Sequence, residues 1–144
     1  MPAKDIHHDA ARSALIKDGW TITHDPLSLK WGLKDLFVDL GAERLLAAEK
    51  GQQKIAVEVK SFLGPSDVDD LEKAVGQFVL YHDILSEREP GRVLYLAVPE
   101  LVMKDVFEEP IGQLLLNKNR LQLLVFHPER EEILRWVRWT QTGT

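Results

Sequence analysis

Glu58 and Lys60 stand where a strand should not tolerate them cheaply. The segment Lys54-Ile55-Ala56-Val57-Glu58-Val59-Lys60 reads as a β-strand, whose side chains alternate between faces. Ile55, Val57 and Val59 form one β-branched face that requires a core. Ala56, Glu58 and Lys60 share the other. Burying a carboxylate and an ammonium is costly unless they pair or bind something. A lone Glu-x-Lys triplet fits a solvated pair on an exposed strand face; the acids that precede this one, Asp39, Glu43 and Glu49, set it apart. If Gly51-Gln52 forms a two-residue hairpin turn, Lys50 lies opposite Gln53, Leu45 opposite Glu58 and Glu43 opposite Lys60. Glu43 then shares the face of Glu58. Asp39 has the same parity and arrives only if the chain bends at Gly41. The carboxylate beside Glu58 is therefore Asp39 or Glu43. Two such carboxylates suit a hard cation, Mg²⁺ or Mn²⁺. Such an ion lowers the pKa of its water and stabilises the charge of a phosphodiester transition state. A lysine beside it orients that water or helps deprotonate it.

The elements that must hold these groups follow from periodicity. Asp5–Asp18 reads as a helix with an apolar side of Ile6, Ala10, Ala14, Leu15 and Ile16, stopped by Gly19. Trp20–Thr23 alternates as a short strand, and Pro26–Leu33 is expected to be irregular. Leu36–Leu40 is a short apolar run, and Arg44–Glu49 pairs with Gln53–Ser61. Ser66 is the expected N-cap of a long helix, with Asp69 in the capping-box position. Its core stripe is Val68, Leu71, Val75, Phe78, His82 and Leu85. Val93–Val98 reads as a central strand covered on both faces. Two short helices, Val102–Phe107 and Ile111–Asn117, flank Pro110, and Leu121–Phe126 with Ile133–Trp139 closes the chain as a hairpin. The fold class is α/β: a mixed sheet flanked by helices, in one domain over residues 1–144.

Other features carry less. The 18 basic and 23 acidic residues give a net charge of −5, which opposes bulk electrostatic binding to nucleic acid. Lys50, Lys54, Lys73 and Arg44 near the hairpin are the candidate phosphate contacts. The chain has no cysteine, excluding disulfides and thiolate chemistry. No apolar run approaches the length of a membrane helix, and the N-terminal residues lack a signal core; the expected location is cytoplasmic. His7 and His8 lack ligand spacing and read as helix-edge residues. Trp136 and Trp139 read as core filler or an interaction edge.

The order acid, hairpin, Glu58-Val59-Lys60, helix resembles the PD-(D/E)XK nuclease superfamily. Gln77-Phe78-Val79-Leu80-Tyr81 resembles the Gln-x-x-x-Tyr motif of several of its branches, with Gln77 and Tyr81 on one helix face. Over nearly the whole chain the sequence is similar to the XisH family. The likeness runs through Met1–Ile6, Ala14–Pro26, Val38–Glu43, Ala47–Phe62 and Glu109–Leu116. It implies a restriction-endonuclease-like fold and a role in controlling excision of a DNA element that interrupts a nitrogen-fixation gene in cyanobacteria. It implies DNA, a site-specific recombinase and a XisI-like companion as partners; it does not set the oligomeric state. It also implies a catalytic set of Glu58, Lys60, Asp39, Glu43 and Gln77, with Mg²⁺ or Mn²⁺ held by Glu58 and Asp39 or Glu43. Val38 stands where the superfamily carries proline before its acid. Asp39 precedes Glu58 by 19 residues, Glu43 by 15. An acid on the first helix would be Asp5 or Asp9. Three functions compete: a metal-dependent DNA endonuclease or nickase, a non-catalytic regulator that binds DNA or the recombinase, and a partner-docking module acting mainly through the XisI-like companion.

Overall fold

The unbroken apolar run after Gly91 forms strand β6 (Arg92–Pro99), and both of its faces are buried, as such a run requires. Leu94, Leu96 and Val98 enter one core cluster, and Tyr95 and Ala97 enter the other. The computed structural model describes residues 4–47 and 51–139. In chain order the preceding elements are α1 (His8–Lys17), β1 (Thr21–His24), β2 (Leu27–Trp31), β3 (Lys34–Val38), β4 (Leu40–Ala47), β5 (Gly51–Val59) and α2 (Asp67–Arg88). After β6 come α3 (Glu100–Val102), a π-helical turn (Met103–Phe107), α4 (Pro110–Asn117), β7 (Leu123–His127) and β8 (Glu132–Val137).

Six strands form one mixed sheet in the order β1-β4-β5-β6-β7-β8. The pairs β5·β6 and β6·β7 are parallel and the rest antiparallel. Parallel neighbours need crossover connections: α2 supplies one, and the segment from α3 to α4 supplies the other. Residues of both pack against one face of the sheet, while Ala11, Ala14 and Leu15 of α1 pack against the other. The architecture is a mixed α/β fold with helices on both faces. Among the described residues no helix is long and apolar enough to cross a membrane.

Several expectations are corrected. Pro26–Leu33 is not irregular: Leu27 and Leu29 point inward from β2, which pairs with β3 as a separate two-stranded sheet. Their alternation with Ser28 and Lys30 was the available signal. The core face of α1 is His8, Ala11, Ala14 and Leu15. Ile6 and Ile16 are 71 % and 47 % exposed, because the helix begins three residues later than Asp5 and Ile16 lies off the 8-11-15 row. In α2 the buried row is Leu71, Ala74, Phe78, Tyr81, Ile84 and Leu85, rotated from the expected stripe so that Val68 is exposed and Tyr81 is not. Ser66 caps this helix as expected, accepting the Asp69 N–H at 3.2 Å.

The hairpin register also differs. Gly51 and Gln52, expected as the turn, belong to β5, and Lys50 and Glu49 lie outside the described residues. Arg44 pairs with Gln53, Glu43 with Lys54 and Leu40 with Val57. Glu43 is therefore opposite Lys54, not Lys60. Continuing the register places Asp39 opposite Glu58.

Candidate functional site

Asp39 sits at the corner between β3 and β4, a single residue that breaks the run of strand. The chain bends at this residue itself, not at Gly41. The corner sets Asp39 against the end of β5 through two reciprocal bonds. The Val59 N–H donates to Asp39 Oδ2 at 2.7 Å, and the Asp39 N–H donates to Glu58 Oε1 at 3.2 Å. Ile55, Val57 and Val59 face the α1 core while Ala56 faces the α2 core. Alternation puts Glu58 and Lys60 on the Ala56 side, as the strand pattern requires.

The two carboxyl groups crowd one another. Burial pushes Glu58 up to about 8, and the Asp39 charge adds to that rise. Lys60 and the Asp39 N–H pull the other way. Asp39 is also raised, chiefly by burial, against the Val59 N–H and the charge of His8. The pair thus holds a proton at neutral pH that two isolated acids would not. Lys60 offsets part of one charge; its own N–H continues the β5·β6 ladder by donating to the Ala97 carbonyl at 2.9 Å.

α2 closes the site from above. Tyr81 is within electrostatic reach of both acids. Burial first, then the charges of Glu58 and Asp39, push its phenol up to about 12. Gln77 lies one turn earlier on the same helix side. Its Oε1 is buried with no hydrogen-bond partner among the described residues. An unsatisfied buried amide oxygen is uncommon and calls for a ligand or water.

A second group ties the N-terminal segment to the end of β5. The Ser61 N–H donates to Asp5 Oδ2 at 2.8 Å, and the Ser61 hydroxyl donates to Asp5 Oδ1. The His7 N–H donates to Asp5 Oδ1 at 2.9 Å, and His7 Nδ1 lies 2.7 Å from Ser61 Oγ. Asp5 thereby anchors the residue after Lys60. Asp9 is on the surface near Lys4, so of the two first-helix acids only Asp5 approaches the site.

Glu43 does not join this group. It is about 13 Å along the strand from Asp39, 3.8 Å from Lys54 Nζ and 3.7 Å from the buried Arg92. Arg44 pairs with Asp18 and lies over the Trp20 ring. Lys54 and Arg44 are thus committed at the far end of the hairpin and do not form a phosphate surface beside Glu58. His8, expected at a helix edge, is 3 % exposed, with Nε2 2.8 Å from Asp25 Oδ1, while Asp25 Oδ2 meets Arg12 Nε at 3.1 Å. Its role near Asp39 depends on an acid 17 residues away, which no local pattern announces. Trp136 packs on Trp20 and Tyr95, and Trp139 on Phe78 and His82, so both are partly buried and line the margin of the core.

The residues present fit a hard divalent cation in one respect: two half-buried carboxylates stand at neighbouring positions with only partial compensation from Lys60 and His8, and an orphaned amide oxygen lies one turn of helix from Tyr81. Among the described residues no three His, Asp or Glu side chains converge to enclose an ion. Asp39 and Glu58 would hold it with substrate or water completing the shell.

A family model described as XisH protein matches residues 1–134. Two crystal structures superimpose over nearly the whole chain. One is an XisH family protein from Nostoc punctiforme PCC 73102, 40% identical, covering 93% of this chain and 100% of that one, with a TM-score of 0.84. The other is an fdxN element excision controlling factor protein from Anabaena variabilis, 41% identical, covering 94% of this chain and 100% of that one, with a TM-score of 0.83. No curated protein matches the chain.

Proposed function

Since the chain belongs to the XisH family, we propose that it is a controlling factor for excision of a DNA element, acting through a metal-dependent phosphodiester site of the PD-(D/E)XK kind. The observation that carries this reading is the reciprocal clasp between Asp39, at the β3–β4 corner, and Glu58-Val59 at the end of β5, with Lys60 just beyond. The restriction-endonuclease-like fold belongs to the same proposal. It is supported by the run of hairpin, crossover helix and parallel strand that places the acids at the carboxyl end of β5.

In this reading Asp39 and Glu58 hold Mg²⁺ or Mn²⁺. The ion supplies stabilisation of the developing phosphate charge and a more acidic water. Glu58 gives up the proton it otherwise holds. The Lys60 ammonium orients the attacking water through its N–H donors and offsets the charge that develops, the water's proton passing to solvent. Gln77 Oε1 accepts a hydrogen bond from that water or from substrate. The Tyr81 phenol stays protonated throughout the neutral range and donates. The partners are DNA, a recombinase and a companion of the XisI type.

One observation favours a second reading, a regulator without catalysis. Arg44, Lys54 and Arg92 are engaged by Asp18, Glu43 and Glu89, leaving little free cationic surface along the hairpin among the described residues. The test is calorimetric titration with Mn²⁺ beside a plasmid-nicking assay, on the parent chain and Asp39→Asn. The enzyme reading expects metal binding and nicking by the parent, both lost in the variant. Binding without nicking on any DNA leaves the regulator and retires the enzyme. Unchanged Mn²⁺ affinity in Asp39→Asn removes the site.

A further inference from the structure

α2 and α4 leave an open apolar groove of about 400 Å³ between them, lined by Val68, Leu71, Val75, Gly76, Ile111 and Leu114. Val68 is 50% exposed, Ile111 44% and Leu114 56%. Gly76 is the informative residue. It sits in the interior of a 22-residue helix, where alanine would be more stable. A Cβ there would meet nothing within 4 Å. Gly112 makes the contrast: its Cβ would come within 2.3 Å of Phe107 Cα and the Val106 carbonyl, so the chain's own packing requires that glycine. Nothing within the chain requires Gly76. A glycine on an open helix face serves a backbone that approaches closely from outside.

The charge along the groove identifies what approaches. Because β5, β6 and β7 are parallel, the crossover helices α2 and α4 return in the same direction. Their acidic starts, Asp67, Asp69 and Glu72 with Glu108 and Glu109, therefore lie at one end. Lys118 and Arg120 follow α4 at the other. A face that is acidic at one end, apolar in the middle and basic at the other complements itself under a two-fold turn. We infer that the groove seats a second copy of this chain, with the two α2 helices crossing antiparallel near Gly76 and each acidic end meeting the partner's basic end.

Sedimentation equilibrium on the full chain tests this. The parent should dimerise reversibly at concentrations up to about 0.5 mM. Gly76→Leu should raise the dissociation constant at least about tenfold while its melting temperature, read in dilute solution, does not fall. Charge reversal gives the sharper arm. Asp69→Lys with Glu72→Lys, and separately Lys118→Glu with Arg120→Glu, should each weaken self-association. An equimolar mixture of the two variants should form a heterodimer. A parent that stays monomeric throughout overturns the inference and leaves the groove to some other occupant. A dimer indifferent to Gly76→Leu overturns it too, as does a mixture that pairs no better than either variant alone.

Discussion

Glu58→Gln isolates the electrostatic cost of the acid pair. Glu58 ionises near 4.5 when unfolded and near 8 when folded. Between those values the folded state holds a proton that the unfolded state has released. Folding stability is then fully present below pH 4.5, declines as pH rises, and has lost the whole contribution above pH 8. At about 1.4 kcal/mol per pH unit, the loss by pH 7 is at most about 3.5 kcal/mol. Relaxation and water entry reduce this to roughly 1–2 kcal/mol. Glutamine keeps the oxygen that accepts the Asp39 N–H and offers Asp39 an N–H in place of the carboxyl proton. The variant should therefore melt higher than the parent at pH 7 by about 3–6 °C and show a flatter profile between pH 5 and 8. Metal supplies the counter-test. Mn²⁺ at about a hundred times its dissociation constant should stabilise the parent by about 2.7 kcal/mol and Glu58→Gln hardly at all. Thermal melts across pH, with and without Mn²⁺, measure both. A variant with the parent's pH slope, or with the parent's Mn²⁺ shift, refutes the reasoning.

Lys60→Ala should leave Mn²⁺ affinity within a few-fold while lowering any plasmid nicking by about 10²-fold or more, in line with loss of a cationic donor at the developing charge. Near-ultraviolet absorbance titration should show a tyrosine ionising near 12; in a double variant Asp39→Asn, Glu58→Gln that transition should move down toward the ordinary value, because two of its causes are gone. Gly112→Ala drives a Cβ into the backbone of the π-helical turn and should destabilise by about 1–3 kcal/mol in urea denaturation, without altering Mn²⁺ affinity.

The strand carrying Glu58 and Lys60 was legible because alternation of Ile55, Val57 and Val59 fixes which face each side chain takes. The partner of Glu58 was not. The assumed hairpin and the observed one differ by six residues: Glu58 lies opposite Asp39 rather than Leu45. An even shift leaves every side chain on its own face, so the hydrophobic pattern is blind to it. Only the position of the turn decides, and Gly51-Gln52 offered a plausible but wrong one. Tyr81 was legible as a motif residue, though the expected helix stripe passed beside it through His82. His8 and Asp5 were opaque for a different reason. Their partners, Asp25 and Ser61, are 17 and 56 residues away, and such pairings exist only once the sheet has formed. The β2·β3 hairpin was readable from Leu27 and Leu29, but the flanking Pro26 and Gly32 favoured a loop.

The tie between Asp5 and Ser61 also bears on how the protein is made. Asp5 leaves the ribosome 56 residues ahead of Ser61, yet its three acceptor bonds need Ser61 and the local turn at His7. Closing a loop of that length costs roughly 3–4 kcal/mol of chain entropy, which one side chain cannot offset alone. Asp5 therefore waits, unanchored, until β5 has emerged and paired with β4. The clasp around Lys60 is completed by a residue made well before it, and among the last steps of assembly.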